Sequence, residues 1–161
     1  MARQSFFSFR YKNDNWRAGI VRNSSVTQKD AAGFFDSAEW EKVKKKTTDE
    51  IEKWIDGQLK GTSVTVVLIG SDTAGKKWIN YEIKSSYKNG NGLLGIYIHK
   101  CKDKNQNTST KGANPFSSIY ITENGVKKYF SEIYPVYDWV DDDGYNNMGN
   151  WIEKAAKAAG K

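Results

Sequence analysis

The sequence predicts an α/β fold with a central, mostly parallel sheet of about five strands and helices on both faces. The clearest observation is Val64–Ile69, a nearly continuous apolar and β-branched run bounded by Gly61 and Gly70. Such a run is typical of a strand that is buried on both faces of a parallel sheet. The second observation is that strand-like and helix-like segments alternate along the chain with short connections, an order that favours parallel pairing.

The N-terminal part of the chain is predicted to form a strand, a helix and a second strand. Residues 5–9 are short, aromatic and rich in β-formers, so they predict a first strand. Residues 13–22 predict a helix that packs through Trp16, Ile20 and Val21. Residues 31–35 predict a short second strand.

The next helix carries the sharpest local signal. Thr47 and Glu50 have the spacing of a capping box, which predicts a helix that begins after Thr47. Apolar residues then recur at amphipathic helical spacing: Ile51, Trp54, Ile55 and Leu59. Gly61 stands just past the last of them, where a C-terminal glycine is favoured.

The C-terminal half continues the alternation. We expect a helix over residues 78–87, a buried strand over 93–98, a polar loop over 102–114, a last strand over 136–140 and a closing helix over 149–159. The whole, residues 1–161, is predicted to be one domain with a flavodoxin-like strand order. In such sheets ligands bind beyond the carboxyl ends of the strands, so the loops after residues 9, 35 and 69 are the expected site.

Composition excludes several classes of protein. The net charge of +6 is modest, with 25 basic and 19 acidic residues intermixed, which favours a solvated surface over a nucleic-acid face. One cysteine, Cys101, and one histidine, His99, argue against an internal disulfide, a structural zinc site and a catalytic triad. Without a signal peptide or an apolar run of membrane-spanning length, we expect a cytoplasmic protein.

Known nucleotide motifs do not fit. A G-x-G-x-x-G pattern occurs at Gly90, Gly92 and Gly95, but it precedes a strand, whereas dinucleotide binding needs it after a strand and before a helix. No phosphate-binding P-loop pattern occurs. The predicted ends of the first and third strands also lack the acids that a phosphorylated receiver domain needs.

One pair of residues suggests chemistry. Trp78 and Glu82 are four apart on the predicted helix and therefore share a face at the border of its buried side. A partly desolvated carboxylate there can hydrogen-bond ribose hydroxyls and stabilise positive charge at an anomeric carbon, while the indole stacks on a flat ring. The ordinary alternative is a boundary glutamate paired with Lys77 or Lys84.

Several segments resemble a TIR domain when taken in order. They are Phe6-Phe7-Ser8-Phe9, Val21-Arg22-Asn23, Val66-Val67-Leu68-Ile69-Gly70, Trp78-Ile79-x-Tyr81-Glu82-Ile83, Phe35-Asp36, Trp40-Glu41, Gly112-x-Asn114-Pro115-Phe116 and residues 137–146. Spread over residues 5–151, they are most similar to the bacterial TIR-like family of Thoeris antiphage defence.

The resemblance implies an activity and its partners. On infection such a protein cleaves the nicotinamide–ribose bond of NAD and makes a cyclic or conjugated ADP-ribose signal that activates a separate effector. NAD is then the substrate, and no other cofactor, metal, membrane or nucleic acid is expected. A phage-derived trigger and assembly into a homo-oligomer on activation are implied as well.

The resemblance also implies roles for particular residues. Glu82 occupies the place of the family's catalytic glutamate, four residues after Trp78. Substrate-binding roles are expected for side chains near the strand ends, on the helix and in the Asn-Pro-Phe element: Phe6, Ser8, Arg10, Asp36, Trp40, Trp78 and Asn114. Two alternatives stay open: a non-catalytic TIR module that acts by self-association or docking, and an enzyme similar to N-deoxyribosyltransferases.

Overall fold

A computed structural model of the chain describes residues 4–24, 31–32 and 41–161. The strands are β1 (Ser5–Ser8), β2 (Ala31–Ala32), β3 (Val64–Ile69), β4 (Gly92–Tyr97), β5 (Tyr120–Glu123), β6 (Val126–Tyr129) and β7 (Val136–Asp138). The helices with defined bounds are α1 (Tyr11–Arg22), α2 (Thr48–Leu59), α3 (Lys77–Lys88), α4 (Phe130–Ile133) and α5 (Gly144–Ala158), with a 3-10 turn at Pro115–Ser118.

The central sheet is parallel throughout and has the order β2-β1-β3-β4-β7. The fully buried strand β3 lies in its middle, as its continuous apolar sequence predicts. Ser5 of β1 pairs with Val64 and Ser8 pairs with Val67, which brings the carboxyl end of β1 beside that of β3. The predicted α/β class and the five-stranded parallel sheet are confirmed.

Helices cover both faces of this sheet. Alternate residues of β3 enter different core clusters, because successive side chains of a strand point to opposite faces. Val66 and Leu68 belong to the cluster that contains residues of α1 and α5. Val67 and Ile69 belong to the cluster that contains Ile79 of α3.

Helix α2 begins as its capping box predicts. Thr47 Oγ1 accepts a hydrogen bond of 3.3 Å from the backbone N–H of Glu50. Ile51, Ile55 and Leu59 are buried along one side of the helix, and Trp54 packs partly against the same core. Its end is followed by Gly61 at φ +80°, a left-handed conformation that favours glycine.

The predicted packing face of α1 is confirmed at Val21, which is buried, and is wrong at Trp16 and Ile20. Trp16 is 56% exposed and Ile20 is 36% exposed, whereas Asp14 and Arg17 lie on the buried side with Val21. The reason is that these polar side chains have buried partners. Arg17 Nε, for example, donates a hydrogen bond of 2.8 Å to the carbonyl of Cys101.

A hairpin, β5–β6, stands in a region for which the sequence analysis assigned no element. Its strands pair antiparallel around Asn124 and Gly125, which have φ values of 53° and 78°. An Asn-Gly pair is the common signal for such a two-residue turn, so this element was detectable. Helix α5 also begins five residues before its predicted start.

The second strand is partly outside the described residues. Ala31 pairs with Ser5 and Ala32 with Phe6, so β2 extends the sheet beyond β1. Residues 33–35 of the predicted strand lie outside the described ranges. Within those ranges, every helix is too short or too polar to pass through a lipid bilayer.

Candidate active site

A cavity of about 340 Å³ opens where the carboxyl end of β1 meets the first turns of α3. This edge of the sheet is the one on which ligands of parallel α/β folds bind. The described residues that line it are Phe9, Arg10, Tyr11, Lys12, Lys44, Lys76, Lys77, Trp78, Ile79 and Glu82. Glu82 is the one acid in this set, and five of the others are basic.

Glu82 is more deeply buried than its position in the sequence suggests. Glu82 is only 8% exposed. Its Oε1 accepts a hydrogen bond of 2.9 Å from the hydroxyl of Ser8, which is fully buried. Burial raises the pKa of Glu82 to about 8, and the Ser8 hydrogen bond opposes that rise. The carboxyl group is therefore largely protonated at neutral pH while the cavity is empty.

The fold sets this geometry through the apolar face of α3. Ile79 and Ile83 are buried against the sheet, and this packing fixes the rotation of the helix. Glu82 then points toward the end of β1, where the parallel pairing with β3 places Ser8. Residues 8 and 82 are thus joined by tertiary structure, although 74 positions separate them.

The indole of Trp78 forms one wall of the cavity, one helical turn before Glu82. It meets the ring of Tyr81 edge-on at a centroid distance of 5.9 Å. The hydroxyl of Tyr81 in turn donates to the carboxylate of Asp56 on α2, with distances of 3.0 Å to both oxygens. The ammonium group of Lys77 lies 4.8 Å from the centre of the Trp78 ring. The indole is therefore held from two sides.

The basic residues at the rim are partly neutralised by acids outside the cavity lining. Arg10 Nη1 contacts Asp72 Oδ2 at 2.5 Å, and Lys76 Nζ lies 3.2 Å from the same oxygen. Lys44 Nζ lies 2.7 Å from Glu41. The hydrogen bond from Lys76 is the first of several contacts that lower the pKa of Asp72, so this carboxylate is ionised at neutral pH.

A second buried acid, Asp14 of α1, supports the loop after β3. The hydroxyl of Thr73 accepts a hydrogen bond of 2.8 Å from the N–H of Gly70 and lies 3.4 Å from Asp14 Oδ2. A Cβ atom on Gly70 would lie 2.2 Å from Asp14 Oδ1, so only glycine fits there. The contacts of Thr73 with Gly70 and Asp14 hold the loop that carries Asp72. Sequence reasoning missed Asp14, because a lone aspartate on a polar-looking helix gives no separate signal.

The residues expected to form the site are only partly brought together. Ser8, Arg10, Trp78 and Glu82 meet at the cavity, Ser8 through its hydrogen bond to Glu82. Phe6 is fully buried in β1, two residues before Ser8, and does not belong to the lining given above. Asp36 and Trp40 lie outside the described residues.

Asn114 has a structural role, while the substrate-binding role expected from the sequence stays a prediction. Its Oδ1 accepts a hydrogen bond of 2.9 Å from the N–H of Phe116 and so caps the 3-10 turn. That cap seats Phe116, which is fully buried, in the core cluster beneath α3. Asn114 is not among the described lining residues of the cavity.

A larger cavity of about 530 Å³ lies at the opposite end of the sheet, beside the amino ends of β4 and β7. Its acid, Glu132, is already engaged, because Oε2 accepts a hydrogen bond of 2.8 Å from the N–H of Tyr129. Glu82, in contrast, combines burial, a raised pKa and access to a cavity, and such a combination is typical of catalytic groups. The smaller cavity is therefore the better candidate.

The arrangement at the smaller cavity is suited to a ligand that carries both anionic groups and a flat ring. Basic side chains at the rim can bind phosphates, and the indole can stack on an aromatic ring. If a sugar links the ring to the anionic groups, ionised Glu82 can stabilise positive charge that develops on that sugar.

Comparison with known proteins identifies the family. A family model described as "Thoeris protein ThsB, TIR-like domain" matches residues 6–103, more than half of the 161-residue chain. A relative from Bacillus cereus (strain MSX-D12), named "Putative cyclic ADP-D-ribose synthase ThsB1", is 36% identical over 191 aligned residues. That alignment covers 94% of this chain and 100% of the relative. The chain belongs to the TIR-like family of Thoeris ThsB proteins.

Proposed function

We propose that the protein acts in the cytoplasm of an infected cell as an antiphage-defence enzyme. It cleaves the nicotinamide–ribose bond of NAD and forms a cyclic or conjugated ADP-ribose signal that activates a separate effector. A phage-derived trigger and assembly of several copies belong to the same proposal. The observation that carries it is the buried carboxyl group of Glu82, hydrogen-bonded to Ser8 at a cavity walled by Trp78 and rimmed with cations. Family membership and the relative named as a cyclic ADP-D-ribose synthase support it.

The chemistry needs one carboxylate. As the bond between ribose C1′ and the pyridinium nitrogen breaks, its electron pair leaves with nicotinamide and an oxocarbenium-like sugar remains. Nicotinamide departs as a neutral molecule, so no acid has to protonate it. Glu82 in its ionised form offsets the charge on the sugar, and attack by water or by another part of the dinucleotide completes the reaction.

Burial of Glu82 couples its ionisation to substrate binding. In the empty site the carboxyl group holds its proton, because desolvation raises its pKa to about 8. A pyridinium cation placed beside it favours the charged form and lowers that pKa. Glu82 therefore loses its proton when the cationic substrate arrives, and the attraction between the two charges then orients the sugar.

The decisive experiment compares small molecules in infected cells by mass spectrometry. Cells that carry the wild-type protein are expected to contain a new ADP-ribose product, and cells that carry Glu82→Gln are expected to lack it. Glu123→Gln, which removes one charge from the hairpin, is the matched control and is expected to keep the product. Full product formation by Glu82→Gln would show that the catalytic assignment is wrong. If defence persists without any product in wild-type cells, the protein works as a TIR interaction module instead.

A further inference from the structure

Two cations at the rim of the cavity, Arg10 and Lys76, are paired with an anion of the chain itself, Asp72. Arg10 and Lys76 converge on one oxygen, Asp72 Oδ2, at 2.5 Å and 3.2 Å. Both cations line the cavity, whereas Asp72 itself is not among its lining residues and is 54% exposed. A carboxylate oxygen shared by a guanidinium and an ammonium group presents the same contacts as a phosphate oxygen.

The amino end of α3 adds to this anion site. Lys76 is its N-cap, and its side chain makes no capping hydrogen bond to the described first turn, which also contains no acidic residue. The N–H groups at this end of the helix and the positive end of the helix dipole therefore favour an anion beside Lys76. Asp72, four residues before Lys76, supplies that negative charge from within the chain.

We propose that Asp72 occupies the phosphate subsite of the empty protein and that the pyrophosphate of the dinucleotide displaces it from Arg10 and Lys76. This inference rests on the proposed function, and it assigns to Asp72 the regulation of substrate affinity at that site. Asp72 competes with the substrate, so the resting protein binds NAD more weakly than its cationic rim alone would allow.

The contacts around Arg10 make the exchange feasible. Arg10 Nη1 also donates a hydrogen bond of 3.2 Å to the backbone carbonyl of Asp72, and this bond does not depend on the carboxylate. The guanidinium group therefore stays in place when the carboxylate swings away. Exposed ion pairs are weak. A pyrophosphate carries two negative charges, whereas the Asp72 carboxylate that it displaces from Arg10 and Lys76 carries one. When Asp72 no longer forms its two ion pairs with Arg10 and Lys76, the affinity of the site for a pyrophosphate ligand should rise about three- to tenfold.

The test measures binding without catalysis, by titration calorimetry at low ionic strength. The probes are ADP-ribose, which contains the pyrophosphate but no nicotinamide, and adenosine, which has no phosphate. We expect Asp72→Asn to bind ADP-ribose about three- to tenfold more tightly than wild type and to leave adenosine binding unchanged. Glu123→Gln removes the same formal charge from the hairpin and is expected to change neither affinity more than about twofold.

A second variant identifies the subsite. In Asp72→Asn/Lys76→Gln the gain in ADP-ribose affinity should disappear, since one of the two phosphate-binding cations is gone. Weaker or unchanged ADP-ribose binding by Asp72→Asn would overturn the proposal, as would no binding by either protein at millimolar ligand. Nicotinamide release from NAD is measured separately. Its absence in infected cells, where the proposed trigger is present, would reject the proposed reaction, while tighter ADP-ribose binding by Asp72→Asn would still establish the displaced anion.

Discussion

The hydroxyl of Ser8 donates a 2.9 Å hydrogen bond to Oε1 of Glu82, and both residues are buried. This bond acts against the desolvation that raises the pKa of Glu82 to about 8, because it favours the ionised carboxylate. Ser8 comes from β1 and Glu82 from α3, so the packing of this helix on the sheet sets the acidity of the carboxyl group. Two measurable consequences concern pH.

Removal of the Ser8 hydroxyl should move the activity profile to higher pH. In Ser8→Ala, Glu82 loses the hydrogen bond that stabilises its charge, so its pKa rises further above 8. We expect the limb of the kcat/KM profile that rises with pH to shift upward by roughly one unit, the value of one charge-assisted hydrogen bond. Nicotinamide release measured from pH 6 to 10 reports this shift. Ser8→Thr keeps a hydroxyl group and should restore most of the wild-type profile, whereas a purely structural role would lower the rate equally at every pH.

Glu82→Gln should stabilise the folded protein at high pH while it abolishes activity. The folded pKa of Glu82 lies above its unfolded value of 4.5, so its contribution to stability is present below pH 4.5 and is lost as the pH rises through 8. Glutamine accepts the same hydrogen bond from Ser8 without this loss. We expect nearly equal unfolding free energies near pH 4.5 and an advantage for the variant of roughly 4 kcal/mol at pH 9.

Urea denaturation across this pH range measures the difference. Glu123→Gln on the exposed strand β5 is the control and should follow the wild-type stability at every pH. A difference between Glu82→Gln and wild type that does not change with pH would contradict the raised pKa.

Truncation of Trp78 should weaken substrate binding more than it weakens folding. The indole walls the cavity and is steadied by the edge of Tyr81 at 5.9 Å. Trp78→Phe keeps a flat ring and should raise KM by only a few-fold, while Trp78→Ala should raise it by about 10- to 100-fold, corresponding to one lost stacking contact of about 1–3 kcal/mol. Steady-state kinetics with NAD, together with thermal unfolding, separates the two effects. A lower kcat at unchanged KM would show that the indole does not bind the ground state.

The sheet could be predicted from the sequence because its strands are chemically distinctive. The apolar run of β3 and the capping box of α2 are local patterns, and local patterns specify the type and place of an element. The buried face of α1 could not be predicted, because Asp14 and Arg17 are polar and the partners that allow their burial lie 59 and 84 residues away. The candidate site could likewise be predicted only in part. The sequence singles out Glu82, but the hydrogen bond between Glu82 and Ser8 can be seen only in the structure.

Asn114 illustrates a motif whose structural role is visible only in three dimensions. A substrate-binding role is expected from the sequence, and in the structure its Oδ1 accepts a hydrogen bond of 2.9 Å from the N–H of Phe116. Asn114→Ala should therefore cost about 1 kcal/mol of stability, as the loss of a cap does, with KM for NAD changed less than about twofold. Asn114→Asp retains the acceptor and should retain the stability. A large increase in KM without loss of stability would support the binding role.

Replacement of Asp14 should remove a second source of pH-dependent instability. Burial raises the pKa of Asp14 from 3.8 to about 6, against the opposing influence of Arg17, Thr73 and Arg10. Its contribution to stability is therefore complete below pH 3.8 and is lost as the pH rises through 6. In Asp14→Asn the fall in unfolding free energy between about pH 4 and 6 should be smaller than in the wild type by roughly 2 kcal/mol, which leaves the part that Glu82 causes. The double variant Asp14→Asn/Glu82→Gln should lose both contributions and show a much smaller decline than the wild type from pH 4.5 to 9. Persistence of the full decline in both variants would mean that neither carboxyl group is buried in its neutral form.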